Sequence, residues 1–122
     1  MNVERELDLP TPPAEVWPEL TDPPRLGAWL GAEVDLDARR GGRGRFRLED
    51  GEVREALVHE ADEPHRLVFT WWPVEKDGRR RMGAATTVTI TVDEAGQGSR
   101  LTIVEAPAPG TGPRRLRSRA AA

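Results

Sequence analysis

Residues 67–75 read LVFTWWPVE, which sets two of the chain's four Trp side by side in a sequence with two Phe and no Tyr. In an extended strand, neighbouring side chains leave on opposite faces. Leu67, Phe69 and Trp71 then share one face, while Val68, Thr70 and Trp72 share the other. An ordinary surface strand needs one apolar face, so this stretch carries more aromatic area than a simple sheet uses. Pro73 lacks an N–H and suits a strand end or edge.

Outward from this strand the pattern is mostly period two. Val3 to Leu9 alternates, with Val3, Arg5, Leu7 and Leu9 on one side and Glu4, Glu6 and Asp8 on the other. Val34, Leu36 and Ala38 alternate, as do Phe46 and Leu48, and Asp50-Gly51 marks a hairpin turn. In ATTVTITV, Val88, Ile90 and Val92 face one way and Thr87, Thr89 and Thr91 the other; RLTIVEA is the last strand. Between the first two strands, TPPAEVWPEL opens a helix with Thr11 as N-cap, prolines in its first turn, and Val16, Trp17 and Leu20 as its apolar stripe. Pro18 should keep it short or kinked. DPPRLGAWLG gives a second short helix capped by Asp22, with Leu26, Trp29 and Leu30 buried and Gly31 as its stop. The order is strand, two short helices, then about six antiparallel strands, an α+β arrangement in one domain.

Composition excludes several functions. With no Cys there is no disulfide, no thiolate catalysis and no thiolate-bound metal. No apolar run reaches the length of a membrane span and the first ten residues are charged, so a soluble, cytoplasmic chain with no membrane partner is expected. The net charge is −3, but PRRLRSRAAA at the end holds four Arg and no acid, so residues 1–112 sum to −7. An acidic body is a poor match for nucleic acid, whose binding relies on clustered cations.

EVWPELTDPPRLGAWLG, GGRGRFRLEDG, DEPHRLVFTWW, TTVTITV and SRLTIVE, in that order, resemble the START/Bet v 1-like (SRPBCC) superfamily over residues 3–106. Within it they look most like the branch of the C-terminal domain of the heat-shock-protein-90 ATPase activator. The resemblance implies a helix-grip fold: a curved antiparallel sheet of six to seven strands wrapped around an apolar cavity and closed by a long C-terminal helix. It implies a START-like domain over residues 1–109, followed by a short basic segment, 110–122. That segment, with one Leu among its Arg and Ala, lacks the stripe a closing helix needs, so any C-terminal helix is short or degenerate. An open apolar hollow is usually covered, which points to a homodimer as one partner.

In such a fold the concave face would carry Trp17, Trp29, Phe46, Phe69, Trp71, Val88, Ile90 and Leu101, with Leu36 and Ile103 behind, enclosing a small apolar or aromatic ligand. Plain core packing is the competing reading of the same residues. Trp72 would lie outside, shielding an edge or a contact surface. The arginines 39, 40, 43, 45 and 47 around GGRG read either as an anion site or as a solvated outer face; no helix follows the glycines, so this is no nucleotide phosphate loop. Two registers are open to VREALVHEA. One turns Glu55, Leu57 and His59 inward and offers an acid–base pair, as in the superfamily's polyketide cyclases. The other turns Arg54, Ala56 and Val58 inward. His65 beside Pro64 reads as a loop residue, and no metal-ligand spacing or cofactor motif occurs. The expected roles are ligand binding without catalysis, a chaperone-ATPase-regulating interaction module, or a cyclase-like enzyme using Glu55 and His59.

Overall fold

The computed structural model describes residues 3–108, and within them all but the Trp29 side chain. The elements are β1 (Val3–Leu9), α1 (Pro13–Thr21), α2 (Pro23–Leu30), β2 (Ala32–Leu36), β3 (Arg43–Leu48), β4 (Val53–Asp62), β5 (Arg66–Val74), a 3-10 turn (Met82–Ala84), β6 (Thr86–Ala95) and β7 (Gly98–Pro107). They form a curled seven-stranded antiparallel sheet in the order β1-β7-β6-β5-β4-β3-β2, with both helices against its concave face. The expected α+β fold with two short helices after strand one is present. A C-terminal helix, short or otherwise, would fall in 110–122, outside the described residues.

Turn chemistry sets the hairpins. Gly51 takes φ 90°, its N–H reaches Leu48 O at 2.9 Å, and Asp50 Oδ1 accepts from the Glu52 N–H at 2.8 Å. These bonds join β3 to β4 as Asp50-Gly51 foretold. α1 departs from its expected cap. Pro12 holds the N-cap position without a side-chain bond, while the Thr11 carbonyl accepts from buried Ser99 Oγ at 2.6 Å and ties the helix entry to β7. Pro18 sits inside α1 and removes the N–H that would reach Ala14, yet its own carbonyl accepts from Asp22 N–H at 2.9 Å and the helix runs on. Asp22 caps α2 through the Arg25 N–H at 3.3 Å, and Gly31 ends it in the left-handed region at φ 68°.

The main core fills part of the concave side. Val16, Trp17 and Leu20 from α1 and Leu26 from α2 pack with Phe46, Val58, Leu67, Val92 and Leu101 of the sheet. Leu30, expected in the buried face of α2, is 44% exposed. A second, smaller cluster lies on the convex face. There the connection from β5 to β6 folds over Trp72, which packs with Leu57, Val74, Ala85 and Ala108. Trp72 is therefore outside the concavity, as its parity with Trp71 required, but buried rather than presented as a contact surface. Pro73 fits for a related reason. β6 pairs with β5 only as far as Trp71↔Thr86, and beyond that point β5 is flanked by β4 and by its own returning segment, where the Arg81 N–H donates to the Pro73 carbonyl at 2.9 Å.

Candidate functional site: the hollow on the concave face

The core does not fill the concavity. A hollow of about 190 Å³ remains between α2, β1 and the middle strands, walled by Leu26, Leu30, Leu67, Phe69, Trp71, Val88, Ile90 and Ile103, with Val3, Arg5 and Glu105 at its margin. Period-two alternation produces this wall. Leu67, Phe69 and Trp71 leave one side of β5, Val88 and Ile90 the matching side of β6, and Ile103 and Glu105 that of β7, where Ile103 pairs with Ile90 and Glu105 with Val88.

Trp71 is held by contacts from five neighbours. Its ring meets Phe46 edge-on with centroids 5.3 Å apart, and Phe69 likewise at 5.7 Å. The Arg54 guanidinium lies 4.7 Å from its centroid, a cation–π contact. Its Nε1–H is shared between Thr86 Oγ1 at 2.9 Å and Glu105 Oε2 at 3.0 Å, and Thr86 Oγ1 in turn donates to the same carboxylate oxygen at 2.6 Å. An indole so held is a rigid apolar wall whose polar atom is already satisfied.

Of the residues expected to line a pocket, Phe69, Trp71, Val88 and Ile90 do so, and Ile103 joins them rather than lying behind. Phe46, fully buried, supports Trp71 from beneath; Trp17, Leu36 and Leu101 belong to the packed core and do not reach the hollow. Trp29 is on α2, but its side chain is outside the described residues. Leu26, Leu30, Val3, Arg5 and Glu105 went unnoticed as lining. The signal for Glu105 was available, since Leu101, Ile103 and Glu105 alternate onto one face.

β4 adopts the second of its two registers. Ala56 and Val58 are buried, at 1% and 0% exposure, and Arg54 accompanies them inward. Glu55 and His59 consequently point to the convex face, outside the hollow, and the inward acid–base pair is not formed. A bulge between Val58 and Glu60 sets His59 apart, with its Nε2 at 2.7 Å from Thr70 Oγ1. Glu55 is bound by Arg80 at 2.7 Å and Arg45 at 3.3 Å. The Arg80 hydrogen bond holds its carboxyl below the usual carboxylate range against the opposing effect of desolvation, and the charges of Arg80 and Arg45 and the nearby Trp72 indole assist. That indole Nε1 is itself buried without a geometrically sound hydrogen bond. His65 precedes β5, its Nδ1 lying 3.0 Å from Val92 O.

The arginine hairpin reads as a solvated face. Arg39 pairs with Asp37 at 2.8 Å, Arg47 with Glu33 at 3.3 Å, and Arg45 with Glu55. A groove of about 480 Å³ beside Arg43, Arg45, Glu55 and Arg80 is larger than the concave hollow, but it is open to solvent and lined by charges that already balance one another. Among the described residues, no three or more His, Asp or Glu come together as a metal site, and no helix is long and apolar enough to cross a membrane.

A curled seven-stranded sheet over two short helices, with a hollow on its inner face, is the architecture of the START/Bet v 1-like superfamily. Within that class, residues 10–118 match the family described as Activator of Hsp90 ATPase homolog 1-like protein, and the chain belongs to that family. The MLL2253 protein of Mesorhizobium loti is similar in structure, with a TM-score of 0.74 at 23% identity over 90% of this chain and 79% of its own. PFC0360w, an HSP90 activator from Plasmodium falciparum, gives a TM-score of 0.68 at 19% identity over 91% of this chain and 76% of that one. DynU16, from the dynemicin biosynthetic locus, gives 0.72 at 24% identity over 92% of this chain but 39% of its own. At these identities the likenesses show the fold. No curated protein matches the sequence.

Proposed function

We propose that the protein binds a small apolar ligand in the concave hollow, without catalysis. The observation that carries this reading is a space of about 190 Å³ walled by Leu67, Phe69, Val88 and Ile90 and by a Trp71 held in place by Phe46, Phe69 and Arg54. Apolar walls with a few fixed polar groups are the general form of a small-molecule site, and this volume sits below the ~300–1,000 Å³ of drug-sized pockets, so the guest is small. Glu55 and His59, the acid–base pair the sequence offered, belong to the other face and support no reaction there. Titration with propylbenzene, followed by indole fluorescence, tests the proposal. Saturable one-to-one binding that Trp71→Ala weakens is expected; a linear, unsaturable response would refute it.

A second reading, regulation of a chaperone ATPase, is favoured by the family to which the chain belongs. With Trp72 buried, the exposed arginines 39, 40, 43, 45 and 47 are the surface that remains for such a partner. Stimulation of an Hsp90-class ATPase by the purified chain, lost when Arg39, Arg40 and Arg43 are changed to Ser, supports this role; no stimulation at saturating protein discards it.

A further inference from the structure

Glu105 places a carboxylate on the wall of an apolar hollow, where burial without partners would be costly. One of its oxygens is fully used. Oε2 accepts from Trp71 Nε1 at 3.0 Å and from Thr86 Oγ1 at 2.6 Å, which fixes the orientation of the group. A carboxylate offers about four acceptor positions across its two oxygens, and Oε1 takes no donor among the described residues. Arg5 also lines the hollow, one pairing step away because Val3 lies opposite Glu105 and Arg5 opposite Ile103, yet no ion pair joins the two within 4.0 Å. Arg5 is exposed on an edge strand, where water screens its charge; Glu105 is half-buried and held.

Oε1 is open to solvent, and the geometry points to a ligand that supplies its donor in place of water: a small apolar molecule ending in a primary amine. Its hydrocarbon part lies against Phe69, Val88 and Ile90, and its ammonium meets Glu105 Oε1. An acid of the same skeleton would set two like charges together in a site of low dielectric, where their repulsion is stronger than in water. This rests on the binding reading above and adds the chemical class of the ligand. It also gives the Trp71–Thr86–Glu105 bonds a purpose, since they aim the carboxylate that recognises the ligand.

Calorimetric titration of the full chain at neutral pH with phenethylamine, propylbenzene and 3-phenylpropionate tests both claims separately. A charge-assisted hydrogen bond corresponds to roughly tenfold to a hundredfold in affinity. The amine should therefore bind at least about tenfold more tightly than the propionate, and Glu105→Gln, whose amide oxygen can still accept from Trp71 and Thr86, should lose about that factor for the amine. If propylbenzene binds but amine and acid are equal, or the acid is preferred, the hollow stands and the role of Glu105 is overturned. Unchanged amine affinity in Glu105→Gln overturns it too. If none of the three binds, the hollow reading itself falls. Circular dichroism checks that the variant folds; if it does not, the wild-type ratio of amine to acid decides alone.

Discussion

Filling the hollow from within should cost no stability. Ile103 stands on β7 with its side chain in the hollow, between Ile90 on β6 and Arg5 on β1. Ile103→Phe adds about three carbons at a position where aromatic residues suit a strand. At ~0.8 kcal/mol per buried carbon the gain has a ceiling of about 2 kcal/mol, reduced by the ordering of a larger side chain. The added ring fits within the hollow of about 190 Å³. In a core already filled, the same change would overpack and cost ~1–3 kcal/mol. The two cases differ in sign. For a domain of this size 1 kcal/mol moves the melting temperature by about 4 °C, so thermal unfolding by circular dichroism resolves them. A Tm that holds or rises, together with at least tenfold weaker propylbenzene binding, is expected. A Tm lowered by several degrees with binding intact would show that Ile103 stands in a filled core and not beside an empty hollow.

Three further outcomes follow from the same geometry. Phe46→Ala removes a fully buried ring that holds both Phe69 and Trp71, and should cost ~3–5 kcal/mol in urea unfolding, a large share of the stability of a domain this size. Gly98→Ala would drive a Cβ into the carbonyl oxygen of Leu9 on the neighbouring strand, costing about 1–3 kcal/mol, whereas Gly83→Ala meets open space and should stay within about 0.5 kcal/mol. The Glu55 carboxyl titrates below its ordinary range in the fold, so its stabilising effect is complete above the unfolded pKa and is lost as pH falls through the folded value. Since Arg80 is largely exposed, the effect is about 1 kcal/mol or less, and Glu55→Gln should flatten the acid side of the stability profile by that amount while leaving its alkaline side unchanged.

The strand pattern carried much of the fold to the surface of the sequence. β6 and β7 alternate so regularly that their inner faces, Val88 and Ile90 opposite Glu105 and Ile103, follow from parity alone, and the same rule separated Trp71 from Trp72. β4 resisted because it has apolar residues on both faces. Ala56 and Val58 belong to the main core and Leu57 to the convex cluster, so no single stripe chose a register. What hides Leu57 and Trp72 is the β5–β6 connection folding back over the convex face, a tertiary event without local signature. The helix start moved from Thr11 to Pro12 because the Thr11 carbonyl is taken by Ser99, far away in sequence. Trp17, Phe46 and Leu101 looked like lining because core and cavity wall have the same composition; only packing around the residual space separates them.

Methyl NMR on the uniformly labelled chain during propylbenzene titration tests the account most directly. Binding in the hollow predicts saturable shifts at the methyls of Leu67, Val88, Ile90 and Ile103, with those of Leu57 and Val74 on the convex face unmoved. Shifts confined to the convex methyls, or none at any probe concentration, would contradict it.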